Sequence, residues 1–220
     1  MIELNFKHSL YCNSCERETT HLELANRRIE HVDRDETKGD RNYQVLACRQ
    51  CSHVTYRTLH WVHPGLGGDS YLEVKDVFPP PSFRPKPKWY ARLDDRFRLI
   101  LDEVYLALDH GMFFIASTGN RTALDVLIVD RIGDIGTFKD KIDELVKRAI
   151  LEPDLGELLR NVIAAGSASA HRGFKPDAEA MKTMMDITEQ IFYRVCIEPQ
   201  DRYQLKVKAE ELQKQTPKRS

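Results

Sequence analysis

The chain has 220 residues, of which 41% are hydrophobic and 30% charged, and its formal net charge is -1. This length and composition are typical of a globular protein with one large domain or two small ones. The charge balance excludes a global basic excess that would draw the whole protein onto nucleic acid or a membrane, so any nucleic-acid site must be a local patch.

Two cysteine pairs, Cys12-x-x-Cys15 and Cys48-x-x-Cys51, lie in the first quarter of the chain. Each pair can bring two thiolates to one side of a tight turn, and two such turns supply four soft ligands in a tetrahedron. Because four thiolates leave no open coordination position, the pattern predicts one structural zinc ion. Two disulfides or a redox motif are the weaker alternatives, since both pairs lie at the ends of strand-like runs. His21 and His53 lie close enough to act as ligands, but with four cysteines present we expect both to be surface residues.

From residue 3 to residue 78, apolar residues alternate in short runs, which indicates β-strands. The predicted strands occupy residues 22–32, 43–47, 54–60 and 71–78. The polar segment 33–40 predicts a hairpin tip. Residues 65–68, Gly-Leu-Gly-Gly, predict a turn and not a phosphate-binding loop, because neither a helix nor a Lys-Ser/Thr pair follows them. Together these elements predict a zinc ribbon.

A proline-rich segment then separates the predicted strands from a region of helical periodicity, with apolar residues recurring every three and four positions. We predict an α+β protein with the following domains: a zinc-ribbon β domain at 1–78, a linker at 79–88, a helical bundle of about five helices at 89–198, and a charged tail at 199–220. Helices are predicted to begin near residues 93, 112, 137, 153 and 177. The small residues of 166–173 indicate that two helices approach each other closely.

Cys196 follows a helical apolar run, and we expect it to be a buried free thiol. Zinc thiolates and a free thiol fit a reducing compartment. No apolar run approaches the roughly 18 residues that span a bilayer. We therefore expect a soluble, cytoplasmic protein without a membrane partner.

Arginines and aromatic or histidine side chains are interleaved over the predicted ribbon, which suits a contact with RNA or single-stranded nucleic acid. They are Arg27, Arg28, Arg34, Arg41, Arg49 and Arg57, with His60, Trp61 and His63. Acidic residues interrupt this patch, so an ordinary solvated surface is an equal alternative. The acidic residues are Glu23, Glu30, Asp33, Asp35 and Glu36.

The order of parts resembles a HEPN-like helical family. The resemblance is carried by the N-terminal ribbon, by Gly-Asn-Arg-Thr-Ala-Leu-Asp at 119–125 and by Gly-Ser-Ala-Ser-Ala-His at 166–171, and it covers about residues 90–197. The domain of this family, of the DUF4145 type, has no known function and occurs alone or fused to restriction-type nuclease subunits. HEPN domains in general are helical bundles that often dimerise, and many are metal-independent ribonucleases. The resemblance therefore implies a homodimer in a phage-defence or mobile-element setting.

The usual HEPN ribonuclease signature, an arginine and a histidine separated by four to six residues, is incomplete. The residues at that spacing before His171 are small and uncharged, at 164–166, and Arg160 lies too far back, about three helical turns away if the helix is unbroken. Arg172 is adjacent to His171. Arg121 and Asp125 lie one turn apart on a predicted helix and share a face.

These remaining residues have two interpretations. His171, with Arg172 or Arg121, has the residue types for acid–base chemistry near neutral pH and for a cation at the phosphorane. Alternatively, His171 caps a helix while Arg121 pairs with Asp125, and the four residues hold the bundle together. We favour the second interpretation, and a nucleotide site near Arg121 and His171 has no sequence motif in its support.

Because the Arg–His signature is incomplete, we favour an accessory protein that binds a nucleic acid or a protein partner over an enzyme. A ribonuclease or toxin-type effector is the alternative.

Overall fold

The computed structural model describes residues 7–32, 38–63 and 71–216. They form two compact units, of which the first ends at Pro85 and the second begins at Lys86. The turn predicted at 65–68 and residues 33–37 of the predicted hairpin tip lie outside the described residues. In the part of the chain that is described, no helix has both the length and the apolar character that crossing a membrane requires.

The first unit contains a five-stranded antiparallel sheet in which each strand pairs with the next one along the chain. The strands are β1 (Lys7–Cys12), β2 (Arg17–Val32), β3 (Lys38–Cys48), β4 (Val54–His63) and β5 (Tyr71–Phe78). All four predicted runs are confirmed as strands. The strands extend further than predicted. For example, β3 begins at Lys38, which lies inside the segment predicted as a hairpin tip.

One face of this sheet is buried and largely polar. Thr19, His21 and Glu23 alternate along β2 as buried residues, with exposures of 7%, 0% and 5%. His21 is in register with His8 on β1 and with Cys48 on β3. The expectation that His21 is a surface residue is therefore wrong. Its position is set by strand alternation, which places it on the same side as Thr19 and Glu23.

The second unit is helical, as predicted, and the α+β fold class is confirmed. Its helices are α1 (Asp95–Asp109), α2 (Phe113–Ile132), α3 (Phe138–Lys147), α4 (Pro153–Arg172), α5 (Ala178–Phe192) and α6 (Glu198–Gln215). A five-residue π-turn, Tyr193–Ile197, joins α5 to α6. The charged residues after Pro199 thus belong to a sixth helix, none of whose residues is buried.

The helices begin at the signals that the sequence offers. Thr137 accepts a hydrogen bond from the N–H of Asp140, whose carboxylate accepts one from the N–H of Thr137, which completes a capping box at α3. Pro153 occupies the first turn of α4, where its missing N–H has no cost. Asp177 caps α5 by accepting from the N–H of Ala180. Local chemistry therefore determines where these three helices start.

The bundle core is formed by the apolar stripes of α1, α2, α4 and α5. Phe97 of α1 packs edge-on against Phe192 of α5, with ring centroids 5.6 Å apart. Leu124 of α2 and Leu159 of α4 are both 0% exposed. Each large apolar side chain buried in this way contributes about 1.5–3 kcal/mol relative to exposure.

Helices α2 and α4 run antiparallel at very short distance. Ser169 donates to Ser117 at 2.9 Å, and Arg121 Nε donates to Ser167 Oγ at 2.9 Å. Between these two contacts lies Gly166, where an added Cβ would be 2.5 Å from Cβ of Arg121 and 3.0 Å from the carbonyl oxygen of Ser117. The close helix approach predicted from the small residues of α4 is confirmed.

We expect Gly166→Ala to lower the free energy of unfolding by about 2 kcal/mol, because the new methyl group would overlap the backbone and Cβ of α2. Chemical denaturation measures this change. Gly119→Ala is the matched control, since its Cβ would meet only a methyl group of Val104, at 3.0 Å. An equal effect of the two substitutions would contradict this account of the α2–α4 contact.

Candidate metal centre and the predicted catalytic residues

The four cysteines of the two Cys-x-x-Cys pairs come together at one end of the sheet. Their sulfur atoms all lie within 4.8 Å of one another. Cys12 Sγ is 3.5 Å from Cys51 Sγ, and Cys15 Sγ is 3.9 Å from Cys48 Sγ. Four sulfurs bound to one metal at about 2.3 Å in a tetrahedron lie about 3.8 Å apart, whereas a disulfide needs about 2.05 Å. The spacing fits a single metal ion, and the cysteines form no disulfide.

The two turns that carry these cysteines are closed by different backbone hydrogen bonds but share one feature at their ends. The N–H of Cys15 bonds to the carbonyl of Cys12 at 3.2 Å, and the N–H of Ser52 bonds to that of Cys48 at 2.9 Å. The residue after each second cysteine is left-handed, with φ of 53° at Glu16 and 62° at Ser52. Left-handed backbone usually requires glycine, so sequence patterns do not reveal these positions.

Hydrogen bonds to sulfur favour the thiolate form of the second pair. Cys48 Sγ lies 3.3 Å from the hydroxyl of Thr19, which lowers the pKa of this thiol to about 5, and the N–H of Gln50 adds a bond at 3.4 Å. The backbone N–H of His53 lowers the pKa of Cys51. Thr19 is a hydrogen-bond partner of the cysteine cluster that the spacing of the cysteines did not reveal, although its alternation with His21 on β2 is visible in the sequence.

The pKa values of the first pair are shifted in the opposite direction. Burial raises the pKa of Cys12, and bonding to Cys51 raises the pKa of Cys15 to about 12. Four sulfurs this close together cannot all lose their protons without a cation among them. A metal ion would supply that positive charge and deprotonate its ligands, so the donor set and its charge both fit metal binding.

Further along the same face, four polar side chains from four strands form a ring. Glu23 Oε2 lies 2.6 Å from Gln44 Nε2 and 3.3 Å from His8 Nε2. Arg57 closes the ring by donating through Nε to Gln44 Oε1 at 2.7 Å and through Nη2 to His8 Nδ1 at 2.8 Å. Because arginine only donates, His8 accepts through Nδ1 and carries its proton on Nε2, towards Glu23.

Arg57, one of the predicted nucleic-acid contacts, belongs to this ring and is therefore hydrogen-bonded within the sheet. Burial lowers the pKa of Arg57, and the Glu23 carboxylate opposes that shift. Arg28, another arginine of the predicted patch, forms an ion pair with Asp40 on β3. Both guanidinium groups are therefore engaged by the sheet itself.

In the helical unit, Arg121 and Asp125 lie one turn apart on α2, as predicted, but each has a partner on another helix. Asp125 accepts from Lys141 of α3 at 3.2 Å, and Lys141 also pairs with Asp134 at 2.6 Å. Asp134 and then Asp125 raise the pKa of Lys141, whose side chain is 8% exposed.

The guanidinium of Arg121 is held from two sides. Its Nε bonds to Ser167 of α4, and its Cζ lies 4.6 Å from the ring centroid of Phe138. Lys141 Nζ lies 5.4 Å from the same ring. Stacking on an aromatic face and a hydrogen bond through Nε orient a guanidinium while leaving its outer nitrogens available.

Residues 102–215 match a family described as a domain of unknown function, DUF4145. This match spans just over half of the chain. The chain belongs to the DUF4145 family. Searches of curated proteins and of solved structures found no match. The match lies within the second unit and does not extend over the sheet.

His171 and Arg172 occupy the last turn of α4 within the DUF4145 domain, and both are exposed. His171 lies one turn after Ser167, the residue that binds Arg121, so the two α4 side chains share a face. The α4 helix continues unbroken from Pro153 to Arg172, which puts Arg160 about three turns before His171. The DUF4145 domain thus brings Arg121 towards the face that carries His171, whereas Asp125 is engaged by Lys141.

We expect Thr19→Val to weaken metal binding at the four cysteines by about tenfold or more, because groups that hydrogen-bond a metal ligand tune its affinity. Competition with a chelating dye measures the affinity. Thr20→Val is the matched control, since Thr20 is the exposed neighbour on the opposite face of β2. Equal affinities of the Thr19→Val variant and the parent protein would show that the Thr19 hydroxyl does not act on the centre.

Proposed function

We propose that this protein is a zinc-binding accessory protein in which one structural zinc ion joins the β1–β2 turn to the β3–β4 turn. The observation that carries this proposal is the set of four sulfurs within 4.8 Å of one another, contributed by two turns in each of which a left-handed residue follows the second cysteine. Thiolates are soft ligands, and a tetrahedral set of four favours zinc among the common divalent ions. With four protein ligands the ion has no open position, so its role is to stabilise the sheet and not to catalyse.

We expect the protein, purified without added metal or chelator, to contain one zinc ion per chain by elemental analysis. Cys12→Ser and Cys48→Ser are expected to lose the metal and to lower the melting temperature of the sheet unit, because zinc binding supplies folding free energy.

Cys196→Ser is the matched control for these variants, since Cys196 is a buried free cysteine of the helical unit. It is expected to retain the full zinc content. A parent protein that contains no zinc and melts at the same temperature with and without a chelator would refute the structural role.

For the binding partner, we favour a protein over a nucleic acid. Through Pro85 the sequence has 11 Lys and Arg against 12 Asp and Glu, and a zinc ion on four thiolates adds net negative charge. Trp61, Leu72 and Val74 are 40%, 46% and 53% exposed. They share one face of the β4–β5 pair, where Trp61 is in register with Leu72. An exposed tryptophan beside aliphatic side chains is typical of protein contact surfaces.

The resemblance to HEPN proteins adds a proposed setting for this role. We propose that the DUF4145 domain is HEPN-like, that it forms a homodimer, and that it works in phage defence or on a mobile element. Support comes from the antiparallel pairing of α2 and α4, which holds the two resemblance motifs against each other through the Arg121–Ser167 contact.

A metal-independent ribonuclease is the second candidate, favoured by one observation. Arg121 is oriented by Ser167 and Phe138, and His171 lies one turn beyond Ser167 on the same face of α4. A guanidinium and an imidazole on one surface are the groups that RNA cleavage requires. Arg172 is the alternative cation because it is adjacent to His171.

A single experiment separates these candidates. We expect the purified protein to show no saturable binding of a fluorescent single-stranded RNA at about 150 mM salt and to leave that RNA intact, because Arg28 and Arg57 are engaged within the sheet. Polarisation and denaturing gels report binding and cleavage.

Binding that weakens steeply with salt would support a nucleic-acid partner in place of a protein. Cleavage that His171→Ala abolishes would support the ribonuclease, and comparison of Arg121→Ala with Arg172→Ala would identify its cation. Arg160→Ala is the control, because Arg160 lies on the same helix but pairs with Asp143 and Glu157.

A further inference from the structure

The β1–β2 turn, which carries the first pair of cysteines, also holds a distant part of the chain. Between Cys12 and Cys15, Asn13 donates through Nδ2 to the carbonyl oxygen of Pro80 at 2.8 Å and accepts through Oδ1 from the N–H of Ser82 at 3.1 Å. Both partners lie after the end of β5, outside the strands of the sheet. One amide side chain therefore joins the turn to the segment that follows the last strand.

The sequence of that segment explains why a side chain makes this contact. Residues 79–81 are three prolines, so the N–H of Ser82 is the first backbone donor after Phe78. A run of prolines cannot extend the ladder of the sheet. The amide group of asparagine contains both a donor and an acceptor, so Asn13 bonds to the segment as the backbone of a neighbouring strand would. Ser82 Oγ donates in turn to the carbonyl oxygen of Arg84 at 3.0 Å.

The position of Asn13 is set by the cysteine cluster. Cys12 Sγ and Cys15 Sγ, on either side of it, lie 3.5 Å and 3.9 Å from the sulfurs of Cys51 and Cys48 in the β3–β4 turn. The backbone on both sides of Asn13 is therefore anchored at the cluster. A displacement of the turn by about 1 Å would lengthen both hydrogen bonds of Asn13 beyond their useful range.

We propose that metal binding at the four cysteines is coupled to docking of residues 79–85, here called the proline segment, onto Asn13. This inference rests on the proposed metal site. A metal ion would fix the β1–β2 turn through two ligands and so hold Asn13 where it reaches Pro80 and Ser82. Without the ion the turn loses this anchor, and the docked arrangement becomes less favourable.

This coupling has two consequences. It is reciprocal, so the factor by which the metal favours docking is also the factor by which docking raises the metal affinity. In addition, the proline segment ends directly before Lys86, where the helical unit begins. Loss of the metal would therefore release the stretch of chain that leads into the helical unit.

The first test follows the amide proton of Ser82 by NMR in the full-length protein, first loaded with zinc and then treated with a chelator. Removal of zinc is expected to raise the exchange rate of this proton by about tenfold or more, as for the loss of one or two hydrogen bonds. The amide of Tyr43 is the internal reference, because β3 is paired on both sides and this residue lies in the middle of the ladder. Its exchange rate is expected to change much less.

The second test uses the reciprocity of the coupling. Ser82→Pro removes the N–H that bonds to Asn13 and is expected to weaken zinc binding about fivefold in competition with a chelating dye. Ser82→Ala is the matched control, since it keeps this N–H and loses only the hydroxyl, and it is expected to bind zinc as the parent protein does. Asn13→Ala is expected to weaken zinc binding at least as much as Ser82→Pro, because it removes both hydrogen bonds. Circular dichroism establishes that each variant is folded.

Equal zinc affinities of Ser82→Pro and Ser82→Ala would overturn the coupling and leave the metal site standing. An unchanged exchange rate at Ser82 after chelation would overturn it as well, and so would an equal rise at Ser82 and Tyr43, since the sheet would then respond as a whole. A parent protein without affinity for zinc would refute the metal site and, with it, the coupling. The affinity of the parent protein therefore distinguishes the two kinds of failure.

Discussion

The sheet unit has almost no apolar core. It depends instead on two sets of side-chain contacts between strands and turns, one among cysteines and one among polar residues. Among its described residues, the buried hydrophobic ones are Cys12, Leu46, Cys48 and Leu59, and two of these are cysteines of the cluster. Small domains that bury so little apolar surface commonly rely on a metal or disulfides. The four sulfurs join two turns at one end of the sheet, and the ring centred on Glu23 joins four strands further along. A metal at the cluster would therefore supply stability that packing in this unit does not.

The helical unit is stabilised by a different kind of interaction. The hydrophobic residues buried there run from Tyr90 to Ile197, and its helices pack closely enough that Gly166 has no room for a methyl group. At this packing density, a displacement of α2 relative to α4 by the size of one atom would produce a steric clash or a void. It is in this unit, and not in the sheet, that the chain matches the DUF4145 family. The two units thus differ in what holds them together: a cysteine cluster and polar contacts in one, and apolar burial in the other.

Features that depend on local chemistry could be read from the sequence, and features that depend on register could not. The spacing of Cys12, Cys15, Cys48 and Cys51 identified the sulfur cluster, and Thr137, Pro153 and Asp177 marked the starts of helices. The burial of His21 was missed because it follows from the pairing of His21 with Cys48. No sequence rule predicts that a single histidine lies on the buried face of a sheet. The left-handed turns after Cys15 and Cys51 were missed because Glu16 and Ser52 replace the usual glycine. The π-turn follows from Pro199, but a proline at this position is equally compatible with a helix end.

The same distinction bears on the residues predicted for catalysis. Sequence spacing correctly put Arg121 and Asp125 on one face of α2, but it could not show that Asp125 is committed to Lys141 or that Arg121 is bound by Ser167 of α4. A general acid or base needs a neighbour that fixes its tautomer and sets its pKa. Among the described residues, the exposed imidazole of His171 has no hydrogen-bond partner of this kind. Acid–base catalysis by His171 would therefore require a hydrogen-bond partner from outside the described chain, either a ligand or a second copy. Binding of a ligand by Arg121 and His171 requires no such additional partner.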